Sequence, residues 1–151
     1  KYKLDEWKAL LGMMCNQFLK SFERRAEGNT TPILFLIDEV PRLEKIEAIS
    51  NGLATLHSKK IHISLIVQSK SQLNAIYGKD VAEVIADNCS YKVILKASEP
   101  TTQEWCSKLV GTYVKPEEFA YLQDVVCVFP NGYKRLQKAN YYEDSTFTSK
   151  L

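Results

Sequence analysis

Five apolar residues run without a polar break from Ile33 to Ile37, and the run stops on two adjacent carboxylates, Asp38 and Glu39. A continuous apolar run this short suits a strand buried on both faces, as in a parallel sheet with helices packed on either side. Open sheets of that kind bind ligands in the crevice outside the carboxyl ends of their strands. The run therefore predicts an α/β core with two acids at its ligand edge. Taken alone, it reads equally well as a strand followed by a solvated acidic turn. A second β-rich run, Ile61 to Val67, ends on Gln68-Ser69. A helical stretch of fitting length joins the two, which predicts a βαβ unit with a right-handed crossover. Parallel strands would bring Asp38, Glu39 and Gln68 to one edge of the sheet.

The rest of the chain sets limits around that core. At 151 residues it has the length of one domain with a substantial core. A net charge of +2 provides no strong field for nucleic acid or membrane, so any DNA contact must come from local patches. Cys15, Cys89, Cys106 and Cys127 form no CxxC pair, and His57 and His62 complete no zinc ligand set. They read as reduced, mostly buried thiols of a cytosolic protein. Asn29-Thr30-Thr31 and Asn88-Cys89-Ser90 match the glycosylation sequon, a motif short enough to recur by chance. No apolar run approaches the roughly 20 residues of a membrane span, so direct membrane insertion by this segment is not expected. The chain opens on a helical pattern, as a fragment would.

Along the chain, Leu4, Trp7, Leu11, Met14, Phe18 and Phe22 recur at steps of three and four. They predict an amphipathic helix to about Arg25, with Met13 and Met14 as core filler. Pro41 ends the first strand. Ile46, Ile49, Leu53 and Leu56 mark a second helix, either interrupted at Ser50-Asn51-Gly52 or begun afresh at Asn51. Two short helical patterns, Leu73-Ile76-Tyr77 and Val81-Val84-Ile85, flank Gly78-Lys79-Asp80. Tyr91 to Leu95 reads as a third strand, and Pro100 starts a helix with Trp105, Leu109 and Val110 on its apolar side. Lys115 to Phe119 reads as a short helix start. Val125 to Phe129 and Tyr133 to Ala139 flank Pro130-Asn131-Gly132 and predict a C-terminal hairpin. The polar tail from Tyr141 to Leu151 is expected to fray.

An apolar strand ending on Asp-Glu is the Walker B pattern of P-loop ATPases. Its neighbours carry a more specific resemblance. Leu34 to Leu43, Asn51-Gly52-Leu53-Ala54-Thr55-Leu56, Val67-Gln68-Ser69, Ser71-Gln72-Leu73 and Ala75-Ile76-Tyr77-Gly78 follow in order. Asp87-Asn88-Cys89, Gly111-Thr112-Tyr113 and Tyr141-Tyr142-Glu143 complete the series. Together they resemble the type IV secretion coupling proteins of the VirD4/TraG/TraD group over nearly the whole chain. That resemblance implies a partial RecA-like P-loop ATPase core: a mainly parallel sheet flanked by helices, with a C-terminal β-hairpin. It implies that residues 1–151 are the C-terminal part of the nucleotide-binding domain of a hexamer at the bacterial inner membrane, cytoplasmic and anchored through an N-terminal segment not included here. Such hexamers use ATP and Mg²⁺ to bring DNA–protein or protein substrates to the secretion channel. Their partners are channel proteins and relaxosome or effector proteins, with single- or double-stranded DNA as a further partner.

By the same resemblance Asp38 holds Mg²⁺, Glu39 polarises the attacking water, and Gln68 senses the γ-phosphate. A glutamine suits that task because its amide donates or orients water without titrating. Lys59, Lys60 and Lys70 are candidates for DNA contact, Lys70 foremost. Arg42 is a candidate for a subunit interface or for phosphate, with a surface salt bridge as the even alternative. Three departures stand against the family pattern. Val40 and Glu44 replace a usual phenylalanine and glycine, the segment after Tyr113 is short, and no GxxxxGK[ST] phosphate loop occurs in the sequence. Gly78-Lys79 does not supply one, because Leu73 and Asp80 occupy the flanking motif positions. Without that loop nothing in these residues cradles a triphosphate, and the segment alone is expected to be inactive. Two other readings stay open: a non-catalytic module recognising a substrate or accessory protein, and a fragment of an FtsK/HerA-like DNA translocase.

Overall fold

A computed structural model describes residues 2–28, 31–140 and 142–143, with the side chains of residues 2–6 excluded. The chain divides into two compact units, Lys1–Cys89 and Ser90–Leu151. The side chain of Leu4, Asn29 and Thr30 of the first sequon, Tyr141, and residues 144–151 of the tail lie outside the described residues.

In the first unit, α1 (Tyr2–Glu23) precedes β1 (Ile33–Ile37), α2 (Ala48–Thr55), β2 (Ile61–Leu65), α3 (Lys70–Tyr77) and α4 (Lys79–Asn88). β1 and β2 pair in parallel from Ile33↔Ile61 to Ile37↔Leu65, which is the expected strand–helix–strand unit. α2 runs unbroken through Ser50-Asn51-Gly52 and continues as a 3-10 turn, Leu56–Lys59. Its first turn is satisfied from outside, where Asn16 Oδ1 of α1 accepts from Ala48 N–H at 3.0 Å. Gly52 lets α2 settle closely: a Cβ there would lie 3.2 Å from Leu56 Cδ1 and 3.3 Å from Ile63 Cδ1. The core gathers Leu19, Ile37, Val40, Ile46, Ile49, Leu56, Ile61, Leu73, Tyr77, Ala82 and Ile85.

Burial departs from expectation in three places. β1 is not covered on both faces. Ile33, Phe35 and Ile37 pack inward, with Phe35 edge-on to Phe22 of α1, while Leu34 and Leu36 are 65% and 54% exposed. The described helices lie against one side of the strand, so its alternate residues find no cover among them. Met13 and Met14 are exposed rather than core filler, because α1 packs through Cys15, Leu19 and Phe22. On α4, Ala82, Ile85 and Ala86 are buried, while Val81 and Val84 are exposed.

The second unit contains β3 (Lys92–Ile94), α5 (Pro100–Leu109), a 3-10 turn at Pro116–Ala120, β4 (Asp124–Phe129) and β5 (Gly132–Gln137). The third predicted strand forms, and it pairs antiparallel with β4 in the order β3-β4-β5. The hairpin pairs Phe129 with Gly132, so its two-residue turn is Pro130-Asn131. Gly132 follows at φ 136°, a conformation that excludes most side chains. Phe119, Val126, Cys106, Val110 and Val114 form this unit's core. Ser107 Oγ donates to Val114 O at 2.6 Å and closes the loop after α5. Of the four cysteines only Cys106 is buried, and all four are free. Burial pushes the Cys106 thiol up to about 11, which keeps it protonated and unreactive.

Candidate functional site

The strand ends bring together the residues that the sequence singled out. Beyond Ile37 and Leu65 the parallel ladder continues for two more bonds. Ile66 N–H donates to Ile37 O at 3.0 Å, and Val40 N–H donates to Ile66 O at 3.1 Å. Val40 is buried and anchors this crossing. The backbone between those bonds turns Glu39 into the left-handed region, at φ 50° and ψ 48°. Pro41 then starts a 3-10 turn, Val40–Arg42, and Arg42 N–H donates to Glu39 O at 2.7 Å.

Both oxygens of the Glu39 carboxylate are engaged. Gln68 Nε2 donates to Oε1 at 3.0 Å, and Arg42 Nε lies 2.9 Å from Oε2. A left-handed conformation costs a non-glycine residue about 1–2 kcal/mol. An exposed ion pair contributes roughly 0.2–1 kcal/mol and a hydrogen bond to a charged carboxylate about 1.5–3 kcal/mol net. The side-chain contacts are therefore sufficient to offset the backbone cost and hold Glu39 in this geometry. Asp38 is exposed, and its side chain makes no hydrogen bond or ion pair among the described residues. That open carboxylate fits Mg²⁺, which keeps most of its waters and takes one or two carboxylates together with substrate phosphates. No group of three or more His, Cys, Asp or Glu residues able to hold a metal occurs among the described residues. Glu39, Arg42, Gln68, Pro41, Gln72 and Ile76 line an open cleft of about 350 Å³. Ser69 caps α3 behind it, accepting from Gln72 N–H at 3.2 Å.

The candidate cations are placed differently from expectation. Lys70 is 6% exposed, donates to Ala82 O and pairs with Glu83, both at 2.9 Å. It ties α3 to α4 instead of facing solvent. Tyr77 is also buried, with its hydroxyl accepting from Ile46 N–H at 3.2 Å. Lys59 donates to Glu23 O and Arg25 O and so closes the C-terminal end of α1. Lys60 is exposed, but with Lys59 it precedes β2, at the sheet edge opposite Glu39 and Gln68. Arg42 makes the surface ion pair that was its even alternative. Sequence periodicity could not have distinguished these cases, since each depends on which helix lies across the lysine.

A separate cleft of about 550 Å³ lies in the second unit, beside Glu118, Tyr121, Asp124 and Arg135. Arg135 meets Asp124 through Nε at 2.5 Å and Nη2 at 3.0 Å. The guanidinium's hydrogen bond holds the Asp124 carboxyl below its usual range.

A family described as the "TraM recognition site of TraD and TraG" matches residues 32–119. Protein VirD4 of Agrobacterium fabrum is 28% identical over 117 residues, covering 76% of this chain and 18% of that protein. Protein VirD4 of Rhizobium radiobacter is 24% identical over 170 residues, covering 91% of this chain and 25% of that protein. Among solved structures, the conjugative coupling protein TrwB superposes with a TM-score of 0.81 at 19% identity, over 88% of this chain and 37% of TrwB. TrwB in complex with ADP and Mg²⁺ superposes equally well, at 20% identity over 91% and 38% of the two chains. The chain thus spans under two fifths of the length of each of these proteins, and the TrwB likeness establishes a shared RecA-like α/β fold. The match over residues 32–119 is more than half of the chain, and with it the chain belongs to the TraG/TraD coupling-protein family, in its C-terminal region.

Proposed function

We propose that the chain is the catalytic-carboxylate half of a coupling protein's nucleotide-binding domain. In the intact hexamer that domain hydrolyses ATP to bring DNA–protein or protein substrates to a secretion channel at the bacterial inner membrane. The observation that carries this reading is the meeting of Glu39 and Gln68 at 3.0 Å where two parallel strands end, with Asp38 open beside them. Asp38 would hold the water shell of Mg²⁺, which when bound neutralises phosphate charge. Glu39 would take the proton of the attacking water, and the Gln68 amide would orient that water or a phosphate oxygen. The TrwB complex with ADP and Mg²⁺ supports this choice of ligand. The phosphate loop would come from elsewhere in the protein, since these residues contain none. Lys60 remains a candidate for phosphate-backbone contact, while Lys59 and Lys70 are engaged within the fold.

The test is Glu39→Gln in the full-length protein. Nucleotide binding should persist while turnover falls by on the order of 10²–10⁴-fold. Unchanged turnover would remove Glu39 from the chemistry.

A second reading has its own support in the description of the matching family as a recognition site. On it, the same residues bind a relaxosome protein of the TraM kind. Binding of such a protein by the isolated chain, together with unchanged turnover of the full-length Glu39→Gln protein, would favour it.

A further inference from the structure

We propose that Arg42 is a positioning residue that keeps Glu39 parked, and that the clamp formed by Arg42 and Gln68 must open before Glu39 can act. This rests on the assignment of Glu39 as the base. Three observations point to it. Both carboxylate oxygens of Glu39 are occupied by protein donors, Gln68 Nε2 at 3.0 Å and Arg42 Nε at 2.9 Å. Each oxygen is drawn to a protein donor, so the carboxylate is aimed at Gln68 and Arg42 and is not free to turn to a water. The backbone of Glu39 is left-handed, a conformation that persists only where surrounding contacts impose it. Finally, the Arg42 side chain is 59% exposed and Glu39 34% exposed. Their pair is therefore weak enough to break when a substrate water competes for the carboxylate. Asp38, the adjacent residue, engages no partner among the described residues, so an incoming cation meets one open and one clamped carboxylate.

A clamp of this kind lowers apparent affinity by the fraction of molecules that are unclamped. In the full-length protein, Arg42→Gln should lower the KM for Mg·ATP about two- to fivefold, the weight of an exposed ion pair, with kcat no lower than in the parent. Arg42→Lys keeps a cation within reach of Glu39 and should restore the parent KM. Glu39→Gln is measured alongside. If it leaves turnover intact, the base assignment fails, and with it the reading on which the clamp depends. If Glu39→Gln abolishes turnover but Arg42→Gln raises KM or lowers kcat, Arg42 serves the reaction directly and the clamp is refuted. An Arg42→Gln protein with parent KM and kcat refutes it as well. Arg42 is exposed and lies outside both cores, so none of these outcomes depends on rescuing a folding defect.

Discussion

Glu39 and Asp124 show how differently two carboxylates are used in one chain. Glu39 is held by Arg42 and Gln68 against an unfavourable backbone conformation. Asp124 sits in regular strand geometry opposite Gln137, and its carboxylate meets Arg135 diagonally across the hairpin. That pair makes a prediction about pH. The folded-state value of Asp124 lies below its ordinary 3.8, chiefly through the Arg135 hydrogen bond. The unfolded chain therefore binds the proton more readily, and the stabilisation is present above that ordinary value. It is lost as pH falls through the lowered folded-state value. Asp124→Asn should flatten this acid limb of the unfolding midpoint and weaken its salt dependence, since the pair is exposed and screened. An acid limb identical to the parent's would show that Arg135 does not discriminate between folded and unfolded carboxyl.

At the scale of elements, the tightest local requirement is the seat of α2. Gly52 lies mid-helix, where glycine costs about 1 kcal/mol relative to alanine. Its place is explained by the 3.2–3.3 Å gaps to Leu56 and Ile63. A β-branched side chain would drive its methyls into both neighbours and lift α2 off β2. Gly52→Val is expected to destabilise the protein by about 1–3 kcal/mol, read as a lowered urea midpoint with unchanged slope. Because α2 carries the crossover between β1 and β2, the same variant should also loosen the Glu39–Gln68 meeting point. A midpoint equal to the parent's would mean that the flexible ends of Leu56 and Ile63 simply swing aside.

At the scale of the whole molecule, the described residues provide acids and an amide but no cradle of backbone N–H groups for three phosphates. Two neighbouring carboxylates leave local negative charge, which repels free nucleotide unless a cation intervenes. The isolated chain is therefore expected to bind Mg·ATP in the millimolar range or more weakly, no more than about 4 kcal/mol, with no turnover above background. Calorimetry of the purified chain measures this directly. A micromolar constant would demand a complete nucleotide site within these residues and would overturn the half-domain reading. Among the described residues no helix is long and apolar enough to cross a membrane.

The sequence by itself determined the order of elements, the parallel pairing of the two apolar runs and the edge at which Asp38, Glu39 and Gln68 emerge. It could do so because side-chain period, Pro41, Gly78 and strand ends ending on polar residues are local signals, and because a βαβ connection admits essentially one hand. The ordered series from Leu34 to Glu143 likewise carries the family resemblance. What only the tertiary structure decided depends on contacts between residues far apart in the chain. Nothing local distinguishes Lys70, buried against Ala82 and Glu83, from Lys60, exposed at the opposite edge. Nor does an apolar run reveal that Leu34 and Leu36 lack cover among the described elements while Phe35 packs edge-on against Phe22. The clamp on Glu39 belongs to the same class, since Gln68 is 29 residues away and reaches it only because two parallel strands end in register.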